Sequence, residues 1–83
     1  MVGQRVLVFV PSYGDVTALP EIVAGVSRLG PRYRCLVVDD GSPTPIPVLE
    51  GALHVRLPAN FGLGICTHVA FDHALQHGYR ALV

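Results

Sequence analysis

Two short stretches of the chain are apolar at successive positions: Val6-Leu7-Val8-Phe9-Val10, and Cys35-Leu36-Val37-Val38. Such unbroken runs suit strands covered on both faces, as in a parallel sheet flanked by helices. Pro11 has no N–H for a ladder, so it is predicted to end the first strand, which begins at Arg5. The second strand is predicted from Tyr33 to Asp39. Between them Leu19, Ile22, Val23, Val26 and Leu29 recur at three- and four-residue spacing, the stripe of a helix packed on a sheet. That helix is predicted to start near Ala18, with Pro20 in its first turn and Glu21 favourably placed against the dipole, and to stop at Gly30-Pro31. Pro43, Pro45 and Pro47 predict an extended loop with at most one helical turn around 48–51. Ala52 to Leu57 partly alternates, which predicts a third, more exposed strand at the sheet's edge. A second helix is predicted from about Gly62 or Leu63 to Gln76, burying Ile65, Val69, Phe71, Ala74 and Leu75, with Gly78 closing it. Tyr79 to Val83 begins a fourth strand. The pattern is that of an α/β domain.

The second strand runs straight into Asp39-Asp40-Gly41-Ser42. In open α/β sheets the carboxyl ends of strands border the ligand crevice. Two adjacent aspartates there repel each other unless a donor-rich partner is present, and a nucleotide base and ribose meet that need. The competing reading is turn chemistry, with the Asp side chains capping a local bend. Ser12-Tyr13-Gly14-Asp15 falls at the same edge, either as a second wall of that site or as a connector in which Asp15 or Thr17 caps the helix. The loop from Pro58 to Gly64 leads into the second helix, whose first N–H groups can receive an anion such as a diphosphate. It lacks the third glycine of a dinucleotide fingerprint and the lysine of a P-loop, and a tight helix–sheet turn explains it as well.

At 83 residues the chain is at most one domain, and small for α/β. A hydrophobic fraction of 51% and a mean hydropathy of +0.48 are more than this length can cover, which predicts a domain fragment or a surface buried against a partner. The strand that breaks off at Val83 points the same way. No run approaches a membrane span, and residues 1–10 are too short for a signal peptide, so a cytoplasmic protein is expected. The six basic residues, all arginine, balance six acids to a net charge of +0, which leaves no footprint for nucleic acid or an anionic membrane. Cys35 and Cys66 are expected to be free and buried. His73 and His77 share a helix face, but His68 lies about 140° round from His73, so the three do not converge on a metal. No nucleophile, base and acid assemble into a catalytic set.

The order of these motifs resembles the N-terminal half of the catalytic domain of family 2 glycosyltransferases. The segments that carry the resemblance are Val6 to Tyr13 with its Pro-x-Tyr loop, Leu36-Val37-Val38-Asp39-Asp40-Gly41-Ser42, and Asn60-Phe61-Gly62-Leu63-Gly64 before a helix. The resemblance spans essentially the whole chain. It implies a three-layer, Rossmann-like partial GT-A domain over residues 1–83, with a parallel sheet of about four strands in the order 3-2-1-4 and helices on both faces. It implies a nucleotide-diphosphate-sugar ligand, a UDP- or GDP-sugar, with Pro11 and Tyr13 lining the base pocket and Asp15 the acidic position after the tyrosine. Asp40, with Asp39 beside it, would accept from the base, and Asn60, Gly62 and Gly64 would lie near the ribose and diphosphate. Gly14 departs from the family, which mostly has Asn there. The family's Asp-x-Asp site for Mg or Mn falls past Val83, with the catalytic base further on. The segment alone is therefore expected to hold no metal and to be inactive, while the full-length enzyme uses Mg or Mn. A non-enzymatic Rossmann-like interaction module is the alternative; loss of nucleotide binding without loss of fold on Asp40→Ala is expected to separate the two. Self-association through the exposed fourth strand or a missing-domain surface is a further expectation.

Overall fold

Six elements follow one another in the computed structural model, which describes residues 5–14 and 16–83. They are β1 (Val6–Ser12), α1 (Leu19–Arg28), β2 (Tyr33–Asp39), β3 (Ala52–Arg56), α2 (Leu63–Gln76) and β4 (Ala81–Leu82). All strand pairs are parallel and the order is β3-β2-β1-β4, as expected. Successive side chains of a strand point to opposite faces, so β2 supplies two cores at once. Leu36 and Val38 pack with Leu7, Leu57, Cys66, Ala70 and Ala74 beneath α2. Cys35 and Val37 pack with Leu19, Val23, Val26 and Ile46 beneath α1. This is why the run from Cys35 to Val38 never alternates: each position is buried, and each apolar side chain so buried is worth about 1.5–3 kcal/mol.

Three expectations are corrected. Pro11 does not end β1, which continues to Ser12 with Pro11 opposite Val38 and Ser12 opposite Asp39. The N–H of Phe9 points to β4, where it reaches the Val83 carbonyl at 2.9 Å, so the nitrogen of Pro11, two residues on, points to the same side, past the strand's last described bond. A missing donor on that side costs the β1–β2 ladder nothing. In α2 the bulky residues do not face the sheet: Ile65, Phe71 and Leu75 are 47%, 53% and 65% exposed, while Cys66, Ala70 and Ala74 are buried. Small side chains at four-residue spacing bring the helix axis close to β1 and β2, and Phe71 lies about 100° round from Ala70. Likewise Leu19, Val23 and Val26 form the seam of α1, with Ile22 and Leu29 on its exposed flank. The proline-rich segment is extended, and its Ile46 is buried in the α1 core.

Candidate functional site

The strand alternation that builds the two cores also separates the two carboxylates. Asp39 continues the α1 face of β2 and Asp40 the α2 face, so the expected mutual repulsion does not arise; each has its own set of donors from the chain itself. The Asp39 side chain is fully buried. Its Oδ1 accepts from the Ser42 N–H at 2.9 Å, and its Oδ2 from the Ile46 N–H at 2.9 Å and Arg56 Nη1 at 2.7 Å. Burial alone would raise its pKa, but the N–H groups of Ile46 and Ser42, the Ser42 hydroxyl and Arg56 outweigh it and hold it at about 2. Asp40 is buried against the other loop. It accepts from the N–H groups of Phe61 at 2.8 Å and Gly62 at 2.9 Å, and from Asn60 Nδ2 at 3.2 Å. Asn60 Nδ2 also reaches the Asp40 carbonyl at 3.1 Å.

Gly41, between these networks, has a φ of +72°, and a Cβ there would lie 2.3 Å from the Ala59 carbonyl carbon. Only glycine lets the two loops cross so closely. Gly62 has a φ of +92° and caps α2. Above Asp40, a cleft of about 160 Å³ opens between the ends of β1 and β2 and the first turns of α2, lined by Pro11, Ser12, Tyr13, Asp40, Leu63 and Cys66. Tyr13 is its accessible aromatic wall, 54% exposed. Burial, then the Asp40 carboxylate, push the Cys66 thiol above its ordinary range.

Of the residues expected at the site, Pro11, Tyr13 and Asp40 line one cleft, and Asn60 and Gly62 are tied to Asp40 beside it. Gly64 lies in the first turn of α2, with open space around it. Asp39 is on the far face of the sheet, and Asp15 lies outside the described residues. Ser12, expected as part of the loop at this edge, also lines the cleft, whereas Leu63 and Cys66 were not anticipated as lining. Cys66 was obscured by placing the bulkier residues of α2 inward. Asp40 also proves to carry the loop into α2, so Asp40→Ala unties that loop whether or not a ligand binds, and loss of fold no longer separates the two readings.

At the other end of α2 the His73 and His77 rings meet at a tilt of 31° with 4.3 Å between centroids, and burial, followed by the charge of His77, lowers the pKa of His73. Among the described residues no group of three or more His, Cys, Asp or Glu could hold a metal ion. No described helix is long and apolar enough to cross a membrane.

No family model matches the chain, and no solved structure matches it. Among curated proteins it is similar to a polyprenol monophosphomannose synthase of Mycolicibacterium smegmatis. The two are 37% identical over 89 aligned positions, which cover 96% of this chain and 34% of that protein. The chain thus spans about a third of the length of this curated relative.

Proposed function

We propose that the chain is the nucleotide-diphosphate-sugar binding segment of a family 2 glycosyltransferase, and that the cleft above Asp40 receives the nucleotide. The observation that carries this reading is the convergence of Pro11, Tyr13 and Asp40, from two strands far apart in sequence, on one opening at the carboxyl edge of a parallel sheet. The similarity to a synthase named for a mannosylated product supports it. In this reading the exposed Tyr13 ring stacks on the base. The Asp40 carboxylate accepts a ring N–H on the side where it faces the cleft beside Cys66. The first-turn N–H groups of α2, which have no acceptor within the helix, lie beside Leu63 at the same opening and suit the diphosphate. Transfer of the sugar belongs to the whole enzyme, with Mg or Mn and an acceptor-activating carboxylate supplied elsewhere.

Calorimetric titration of the chain with UDP and with GDP, each with and without Mn²⁺, tests the reading. The expected outcome is that one nucleotide binds, independently of the metal. Tyr13→Ala is then expected to weaken binding by about 1–3 kcal/mol, the range for a base stacked on an aromatic ring. A folded chain that binds neither nucleotide overturns the reading. It would favour an interaction module, for which the internal satisfaction of both carboxylates already speaks.

A further inference from the structure

The cleft's aromatic wall is held by a segment whose anchor lies on the other side of the sheet. Tyr13 stands between two backbone ties. On one side the Asp40 N–H donates to the Ser12 carbonyl at 2.9 Å. On the other the Gly14 N–H donates to Ser42 Oγ at 2.8 Å. The first tie extends the β1–β2 ladder, but the second depends on a side chain that must itself be fixed. Ser42 is almost wholly buried, and two contacts fix it: its N–H donates to Asp39 Oδ1 at 2.9 Å, and its carbonyl accepts from Arg56 Nη2 at 3.1 Å. Arg56, the last residue of the edge strand β3 and the register partner of Asp39, grips both members, since its Nη1 donates to Asp39 Oδ2 at 2.7 Å. A planar fork suits this double grip, and a lysine cannot reproduce it.

We infer that Arg56 is a positioning residue of the cleft: through Asp39 and Ser42 it fixes the Gly14 N–H and so the stance of Tyr13, although it lies outside the cleft lining. Asp39 has a role here that does not require contact with a ligand. Its carboxylate accepts from Arg56 Nη1 and from the Ser42 N–H, and so ties the edge strand to the residue whose Oγ accepts from Gly14. The effect on the wall's geometry stands without any ligand. The effect on nucleotide affinity rests on the reading proposed above.

Amide hydrogen exchange of the 83-residue chain, followed by NMR, tests the relay without a nucleotide. In the wild-type chain the Gly14 amide is expected to be protected. In Arg56→Met its exchange should accelerate about tenfold beyond that of the β1–β2 ladder amides, the loss of a hydrogen bond of ordinary net strength, the ladder amides reporting the fall in global stability that the unpaired Asp39 brings. Arg56→Lys should fall between. Ser42→Ala removes the acceptor itself, and the Arg56→Met/Ser42→Ala double variant should exchange no faster at Gly14 than Ser42→Ala alone, because Arg56 acts through Ser42. An unprotected Gly14 in the wild-type chain, an unchanged Gly14 in Arg56→Met, or acceleration there in step with the whole ladder each overturns the inference. Titration of the same variants with UDP and GDP completes the test. Weaker binding by Arg56→Met supports the relay's bearing on the ligand, and equal binding with a loosened Gly14 overturns that part. A wild-type chain that binds neither nucleotide overturns the functional reading alone, since Gly14 exchange still decides the relay.

Discussion

Asp39 shows how a residue can be chosen for the right motif and the wrong contact. Adjacent carboxylates at the end of a buried strand are legible in the sequence as something that must find donors. Strand alternation, also legible, sends the two side chains to opposite faces, so no single ligand meets both. What the sequence does not show is that the donors are internal, because Ile46 and Arg56 reach Asp39 only through the path of the proline-rich loop and the parallel register of β3. The consequence is measurable in acid. The folded chain holds Asp39 at about 2, below its ordinary 3.8, so its ionised form stabilises the fold fully above pH 4 and this contribution fades as pH falls from about 4 through 2. Its size is about 2 kcal/mol by proton linkage. Urea unfolding followed between pH 5 and pH 2 is expected to show this loss. In Asp39→Asn the curve should start lower and lack that part of the slope; an unchanged slope would show that Asp39 is not held in its ionised form.

Among the elements, the strands were legible in place and order, though β1 runs through Pro11 to Ser12, while α2 was legible in its bounds and not in its buried face. Residues 35–38 have no polar position to mislead, whereas α2 mixes large and small apolar residues around its whole circumference, so periodicity alone did not choose a face. Size chose it: a row of Cys66, Ala70 and Ala74 permits closer approach to the sheet than any row including Phe71 or Leu75. The same closeness brings Cys66 against Asp40 and Leu63 to the cleft, which is why the site's α2 wall was missed along with the helix's buried face. Enlarging a residue in this row should therefore cost more than removing a ring from the other side. Ala70→Leu is expected to destabilise by about 1–3 kcal/mol through overpacking, and Phe71→Ser to stay within about 0.5 kcal/mol of wild type, as surface changes do. Denaturant midpoints at constant m-value would check the pair, and the reverse ranking would place the bulky face inward after all.

For the molecule as a whole, the turned helix changes where the excess apolar surface of the sequence goes. A mean hydropathy of +0.48 is matched by exposed Phe61, Leu63, Ile65, Phe71, Leu75 and Val83, and five of these six belong to α2 and its entrance: Ile65, Phe71 and Leu75 on its exposed side, and Phe61 and Leu63 where the chain enters it. The open outer edge of β4 is short, with Ala81 and Leu82 as its assigned strand. Two surfaces are thus available for the expected self-association of this 83-residue chain, and they differ in physics. An edge offers backbone donors and acceptors to a second strand, whereas the helix face offers only area, at about 25 cal/mol per Å². The edge is two residues long and the helix face is wider, so the helix face is expected to dominate. Sedimentation at rising concentration should show reversible association of the wild-type chain. Phe71→Gln/Leu75→Gln should shift it strongly to monomer, while Leu82→Pro, which removes an edge donor, should shift it less once the fraction folded is matched. If the proline variant is the more monomeric, β4 is the interface, and if the wild-type chain stays monomeric, neither surface suffices.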